Sequence, residues 1–204
     1  MKIMKTIIEK IDKNQKNTDI IREAGRILKE GGLVAFPTET VYGLGADALN
    51  EDAAKKIYAA KGRPSDNPLI IHITNMKALD KIVSEVPEKA VKVAEKYWPG
   101  PLTMIFNKSD IVPYGTTGGL DTVAVRMPVD EIAREVIDAG GGYIAAPSAN
   151  TSGRPSPTTA QHVAEDLTGR VDMIVDGGAV EIGVESTILD VTVEPPMILR
   201  PGAI

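Results

Sequence analysis

The hydrophobic positions of this chain recur with two periods, one typical of β-strands and one typical of α-helices. Residues 1–11 alternate apolar and polar side chains and predict a strand, which a polar loop at 12–17 follows. Apolar residues spaced by three and four then predict a helix, with Thr18 as its N-cap and Gly31 as its end. The chain therefore starts with a strand, a loop and an amphipathic helix.

The same criteria predict the remaining elements. Further helices are expected at 50–60 with Asn50 as N-cap, 75–84, 87–97 with Pro87 in its first turn, 130–139, and 158–168 with Thr158 as N-cap. Strands are expected at 33–36, 69–73, 102–107, 122–127, 143–146, 171–175, 186–192 and 197–200. Because strands and helices do not alternate strictly, we predict one α/β domain, an open twisted sheet of parallel and antiparallel strands flanked by helices.

Composition limits the classes of function. A length of 204 residues suits a single domain. The absence of cysteine excludes disulfides, thiolate zinc sites and cysteine nucleophiles, and two histidines argue against an imidazole metal site or a serine-protease-like triad. The net charge of −5 gives no overall attraction to nucleic acid or membranes. No apolar run approaches the ~20 residues of a membrane span, and no signal peptide is recognisable, so we expect a cytoplasmic protein.

Two turn-rich segments carry the groups best suited to bind oxyanions. Lys61 and Arg63 flank a glycine in the first, and Ser148 and Asn150 lie in the second. A guanidinium matches phosphate or carboxylate with a planar fork of donors, and an ammonium adds a mobile charge. The two loops are therefore predicted to cradle a nucleotide. Taken alone, the cations are equally compatible with a helix C-terminus, and the second segment is compatible with an ordinary turn.

Other polar residues have simpler interpretations. His72 lies in an apolar strand and reads as a core histidine, whereas Arg126 in a strand needs a buried partner. Glu39 reads as a surface acid, and Trp98 is expected beneath the turn that follows it. His162 and the acids at 165–166 read as a solvated helix face.

Two familiar nucleotide motifs are not met. The chain has no Gly-Lys pair, so the phosphate loop that ends in Gly-Lys-Ser/Thr is excluded. The glycines at 140–142 follow a predicted helix and precede a strand, the reverse of the dinucleotide fingerprint. Any nucleotide is therefore expected on a different scaffold.

Several blocks of the sequence, in order, resemble the YrdC/Sua5 family of threonylcarbamoyl-adenylate synthases. The blocks are residues 32–45, 61–64, 68–73, 97–103, 123–128, 146–153, 185–188 and 198–202. The resemblance implies a YrdC-like domain over 1–204, with its core at about 18–204. It also implies a nucleotidyltransferase that converts L-threonine, bicarbonate or CO₂, and ATP into threonylcarbamoyl-AMP and pyrophosphate. The product would serve tRNA modification to threonylcarbamoyladenosine by a downstream transferase complex.

The resemblance also implies a set of site residues. The threonine pocket would use Thr40, His72, Arg126, the backbone of Ala146, and Ser186. The ATP pocket would use Lys61, Arg63, Asn67, Thr122, Ser148, Asn150, Ser156 and Arg200. Lys61 and Arg63 would be catalytic, with Mg²⁺ bridging the phosphates and no metal site of the protein's own. Longer relatives continue into a linker and a second domain, so this chain resembles the short form.

Two other functions stay open. A non-catalytic module that binds double-stranded RNA or tRNA is the main alternative, although net acidity and few aromatic side chains argue against it. Carbamoyl transfer in metallocentre assembly is the third, and the absence of zinc-finger-like cysteines argues against that.

Overall fold

The computed structural model describes residues 5–12 and 15–204, and within them one mixed sheet forms the centre of the protein. Its strands are β1 (Ile7–Lys10), β2 (Val34–Phe36), β3 (Gly43–Asp47), β4 (Ile70–His72), β5 (Leu102–Asn107), β6 (Thr122–Arg126), β7 (Ile144–Ala145), β8 (Met173–Asp176), β9 (Thr187–Asp190) and β10 (Met197–Arg200). The helices are α1 (Thr18–Lys29), α2 (Glu51–Lys61), α3 (Leu79–Ile82), α4 (Glu88–Tyr97), α5 (Tyr114–Thr117), α6 (Glu131–Ala139) and α7 (Ala160–Leu167), and a 3₁₀ turn at Met76–Ala78 precedes α3.

The sheet has the order β1-β8-β2-β3-β7-β4-β6-β5-β9-β10. Parallel pairs join β1 to β8, β8 to β2, β4 to β6 and β5 to β9, and the other neighbours are antiparallel. The predicted α/β fold with a mixed open sheet is confirmed. Because β4 and β6 run parallel with His72 opposite Arg126, two of the predicted site residues lie side by side where these strands end.

The two faces of the sheet carry separate hydrophobic clusters. One cluster includes Ala35 and buried residues of α2, α4 and α7, and the other includes Val34, Phe36 and buried residues of α1 and α6. Consecutive residues of β2 thus point to opposite faces, as the pleat of a strand requires. Both faces are covered, so the strand ends and their loops are left to form a site.

The ends of helix α2 follow from local chemistry. The side chain of Asn50 accepts hydrogen bonds from the amides of Asp52 and Ala53, as predicted for the N-cap. Gly62 ends the helix with φ of 62°, a left-handed conformation that suits glycine. This turn directs the chain from Lys61, the last helical residue, into the loop that carries Arg63.

Several local predictions are wrong in detail. Asn17, not Thr18, occupies the N-cap position of α1, without a capping side-chain hydrogen bond. Thr159, not Thr158, caps α7 by accepting from the amide of His162. Pro87 occupies the N-cap position of α4, one residue before its first turn. Such shifts of one residue arise because neighbouring polar or proline residues satisfy the same sequence criterion.

Other corrections concern whole elements. Strand β3 was not predicted, because the glycines at 43 and 45 interrupt its apolar pattern, and the four-residue helix α5 was also missed. The predicted helix at 75–84 is a 3₁₀ turn followed by one turn of α-helix. The predicted strand at 1–11 is observed at Ile7–Lys10, while residues 1–4 lie outside the described residues.

Asp166 is not on a solvated face. Its side chain is only 8% exposed, accepts from the amide of Thr151 at 2.9 Å and pairs with Arg154. It therefore ties α7 to the loop after Asn150.

In the part of the chain that the structure describes, no helix is both long and apolar enough to cross a membrane.

Candidate functional site

A cavity of about 120 Å³ collects most of the residues predicted for substrate binding. Its polar lining comes from strand ends and from the loops that follow them. The predicted residues among its lining are Thr40, Arg63, His72, Arg126, Ala146, Ser148, Ser186 and Arg200. These residues span most of the chain, so the fold alone brings them together.

Arg126 lines the cavity, and three groups hold its guanidinium. Its Nη2 donates to Oε1 of Glu39 at 2.6 Å, its Nη1 donates to Oγ1 of Thr40 at 2.8 Å, and its Nε lies 3.4 Å from the carbonyl oxygen of Gly100. The expected buried partner of this strand arginine is thus Glu39, whose prediction as a surface acid is wrong, since it is 4% exposed. Two of the five guanidinium N–H groups have no acceptor among the described residues and can receive a carboxylate.

His72 is a neutral imidazole beside this arginine. It is 3% exposed, and Nδ1 lies 3.1 Å from the carbonyl oxygen of Ile70. Burial, and secondarily the charge of Arg126, lowers the pKa of His72 to about 3. It is both a buried histidine and a lining residue, so it can present an uncharged polar edge to a ligand.

Ser186 lies in the cavity lining together with Arg126, His72 and the cations Arg63 and Arg200. Its Oγ lies 2.8 Å from Oγ1 of Thr103, a buried residue whose role the sequence did not show. Nη2 of Arg200 donates to the carbonyl oxygen of Ser186 at 2.8 Å and lies 3.2 Å from its Oγ. The serine hydroxyl is thus fixed between a strand and an arginine.

Lys61 lies behind the cavity wall and does not line it. Nζ donates to the carbonyl oxygens of Ser148 and Asn150, the latter at 2.6 Å, and lies 3.4 Å from Oδ1 of Asn150. Burial, reinforced by the charge of Arg63, lowers the pKa of Lys61 to about 7. Lys61 thus holds the loop that contains Ser148 and Asn150 against the end of α2.

Arg63 extends along its own loop, which follows helix α2, toward Asn67 and Pro68. Its Nε lies 3.4 Å from the carbonyl oxygen of Asn67, and its Nη2 lies 3.3 Å from that of Pro68. Both contacts are long for hydrogen bonds, so the guanidinium keeps donor capacity for an incoming anion. Burial lowers the pKa of Arg63, Tyr58 opposes this, and the nearby charge of Arg200 lowers it further. Arg63 and Arg200 both line the cavity and give it a cluster of positive charge.

The remaining predicted nucleotide residues lie around this cluster, outside the cavity lining. The Asn67 side chain is exposed, and Thr122 lies four residues before Arg126 on β6, about 13 Å away at ~3.3 Å per residue. The Asn150 amide donates to the carbonyl oxygens of Thr151 and Arg154, which shapes its own loop. The structure therefore does not bring the side chains of Asn67, Thr122 and Asn150 into the cavity lining.

Ser156 is hydrogen-bonded to Glu185, an acid that was not among the predicted site residues. Its Oγ donates to the carboxylate of Glu185, and this bond lowers the pKa of Glu185, to which the charge of Arg200 also contributes. Glu185 lines the cavity beside Ser186. Its position next to Ser186 in the chain was the available signal, since Ser186 was itself predicted.

A larger cavity of about 1120 Å³ lies elsewhere, along α1, α6 and the 177–181 loop. Thr38 and Glu39 reach it, but it contains none of the predicted substrate residues. Volume alone does not identify a ligand site, whereas convergent polar groups with shifted pKa values do. We therefore place the candidate site at the smaller cavity.

Comparison with known proteins identifies the family of the chain. Residues 26–202 match the model of the Sua5/YciO/YrdC family, which is described as "Telomere recombination". The chain belongs to this family. It is 59% identical over 184 residues to a protein named threonylcarbamoyl-AMP synthase from Pyrococcus abyssi, a match that covers 90% of this chain and 54% of that protein.

A second relative and a solved structure show the same relationship. A protein of the same name from Bacillus subtilis is 52% identical over 205 residues, covering the whole of this chain and 59% of its own length. The crystal structure of P. abyssi Sua5 complexed with L-threonine superposes with a TM-score of 0.89 at 56% identity, covering 98% of this chain and 57% of that one. The chain thus spans somewhat more than half the length of these relatives.

Proposed function

We propose that this Sua5/YciO/YrdC-family chain forms L-threonylcarbamoyl-AMP and pyrophosphate from L-threonine, bicarbonate or CO₂, and ATP. The observation that carries the proposal is the division of the cavity into two chemical halves. Arg126, neutral His72 and Ser186 suit an amino acid, and Arg63 with Arg200 suits phosphates. The relatives named threonylcarbamoyl-AMP synthase, and the Sua5 structure with L-threonine, support the same reaction.

The amino-acid half would orient the nucleophile. The two free N–H groups of Arg126 would bind the threonine carboxylate, while Thr40, His72, Ser186 and the backbone of Ala146 would hold the rest of the amino acid. The threonine amine and bicarbonate would give a carbamate with loss of water. A carbamate oxygen would then attack the α-phosphorus, and the bond to pyrophosphate would break.

The nucleotide half would stabilise charge on the phosphates. Arg63 and Arg200 would lie against them directly, with Ser148, Ser156 and the outer residues Asn67, Thr122 and Asn150 along the nucleotide. Lys61 would act on the phosphates through the loop it pins, or by moving its ammonium toward them. Catalysis of this kind needs orientation and fixed charge more than a side-chain nucleophile.

We propose that Mg²⁺ enters the site as a partner of ATP. Among the described residues no cluster of three or more His, Asp or Glu side chains is placed to hold a metal ion. Mg²⁺ commonly binds through substrate phosphates and retained waters, so it would supply charge neutralisation on the triphosphate. Glu185 is the acid among the described residues that line the cavity, so its carboxylate is the protein group that could contact the ion.

The product would feed tRNA modification to threonylcarbamoyladenosine in the cytoplasm, through a downstream transferase complex. The cavity of about 120 Å³ is smaller than the ~300 Å³ at which small-molecule pockets begin, so it would enclose the amino acid and leave the nucleotide along its rim. Direct contact with tRNA is not needed for the first step.

The deciding experiment is pyrophosphate release from Mg·ATP by the purified chain. We expect release only when threonine and bicarbonate are both present, and a loss of about 100-fold or more in Arg63→Ala. Arg22→Ala is the matched control, because Arg22 is an exposed arginine on α1 that pairs with Asp19. No release by the folded wild type would contradict the proposal and favour the RNA-binding alternative, which a salt-dependent affinity for tRNA would then test.

A further inference from the structure

The buried ion pair between Glu39 and Arg126 has features that folding does not explain. The Glu39 and Arg126 side chains are 4% and 5% exposed, and their salt bridge measures 2.6 Å. The other carboxylate oxygen of Glu39, Oε2, is buried without a hydrogen-bond partner among the described residues. A buried acceptor left unpaired is destabilising, and buried ion pairs are often no more stable than apolar replacements. Glu39 is therefore better explained by what it does to Arg126.

The geometry shows that Glu39 aims the guanidinium. Glu39 and Thr40 occupy one N–H on each terminal nitrogen of Arg126, so the group is fixed in plane and in rotation. The backbone of the same residues is itself held, because their carbonyl oxygens accept from the amides of Ile182 and Gly183 at 3.0 and 2.9 Å. The remaining donors of Arg126 thus have a set direction into the cavity.

Glu39 also sets the charge of this half of the cavity. The carboxylate of Glu39 offsets the cation of Arg126, and the imidazole of His72 adds no charge. At the other end of the cavity, Glu185 is the one acid among the described lining residues, beside the cations Arg63 and Arg200. A neutral half suits a zwitterionic amino acid, whereas an excess of positive charge would repel its ammonium and favour a simple anion.

We propose that Glu39 is a positioning and specificity-determining residue, which orients Arg126 and balances its charge so that the cavity prefers an α-amino acid over the equivalent hydroxy acid. This rests on the proposed function, in which Arg126 binds the carboxylate of threonine. The discriminating ligand is 2,3-dihydroxybutanoate with the configuration of L-threonine, because a hydroxyl replaces the ammonium at nearly the same size.

The test is calorimetric titration of wild type, Glu39→Gln and Glu181→Gln with threonine, 2,3-dihydroxybutanoate and ATP. We expect wild type to prefer threonine, and Glu39→Gln to bind threonine about tenfold more weakly while its preference over the hydroxy acid falls about tenfold. ATP affinity should stay within about twofold. Glu181→Gln, an exposed acid on the loop beside Glu39, should match wild type for all three ligands.

An unchanged preference in Glu39→Gln overturns the inference, even if both ligands bind more weakly, because a loosened Arg126 would weaken both alike. If the wild type binds threonine in that case, the proposed function is still supported and only the inference about Glu39 is refuted. Wild type that binds ATP but no threonine removes the proposed function and the inference together. Should Glu39→Gln not fold, Glu39→Asp decides: it keeps the charge, so weaker threonine binding with the wild-type preference is expected, and a lost preference overturns the inference.

Discussion

The pH dependence of stability offers a direct measure of what the burial of Lys61 does to the protein. The side chain is 1% exposed, and burial together with Arg63 lowers its pKa from 10.5 to about 7, against a smaller opposing effect of Asp166. Below pH 7 both the folded and the unfolded chain carry the ammonium, and the folded state bears the penalty of burying it. Between pH 7 and 10.5 the unfolded chain holds a proton that the folded chain has released, so stability rises with pH in that window.

The magnitude follows from the two pKa values. The full penalty below pH 7 corresponds to about 5 kcal/mol, since each pKa unit is worth about 1.4 kcal/mol. Between pH 7 and pH 9 about 2 kcal/mol of it is relieved. Lys61→Met keeps the length of the side chain and has no titrating group, so this gain should be missing from the variant.

The assay is urea unfolding of wild type and Lys61→Met at pH 7, 8 and 9, compared as a difference between the two proteins. Other titrating groups contribute equally to both and cancel. We expect the free energy of unfolding of wild type to gain about 2 kcal/mol on the variant across this range. Parallel curves would refute the reasoning, because they would show that Lys61 keeps its proton at pH 9. The oxygen atoms of Ser148 and Asn150 would then stabilise the ammonium more than burial destabilises it.

Two further substitutions test the walls of the site. Thr103→Val removes the 2.8 Å contact with Ser186, so the threonine KM should rise about tenfold, the equivalent of roughly 1.4 kcal/mol, with the ATP KM unchanged; equal rises in both KM values would count against a role confined to the amino acid. Gly202→Ala places a Cβ 2.3 Å from the carbonyl oxygen of Glu185, so unfolding by urea should show a loss of about 1–3 kcal/mol. An unchanged urea midpoint would mean that the segment after β10 shifts freely.

Elements with strong local signals could be predicted from the sequence. The helix after Asn50 has its capping side chain, its apolar spacing and the glycine that ends it within a dozen residues. Strand β5 was predicted with the bounds it has, because four of its six residues are large and apolar and no glycine or proline interrupts them. Strand β3 was missed for the opposite reason, since glycines carry no apolar side chain and its pairing with β2 and β7 depends on distant segments.

The candidate site also has a part that could be predicted from the sequence and a part that depends on distant segments. The anion-binding character of Arg63, Ser148 and Arg126 could be proposed from residue type and from the order of the sequence blocks, and the fold then brought these residues to one cavity. Lys61 lies behind the cavity wall rather than in the cavity, because its nearest acceptors belong to a loop almost ninety residues later. A local sequence pattern gives no information about a contact between residues so far apart in the chain.

What the sequence determined by itself was the chemistry available at each strand end and the family to which the chain belongs. What only the tertiary structure decided was how that chemistry is paired. Glu39 read as a surface acid because its neighbours are polar, yet it is buried against Arg126, 87 residues away. A buried charge must find its partner in space, and only the packing of β2, β4 and β6 into one sheet places the two groups 2.6 Å apart.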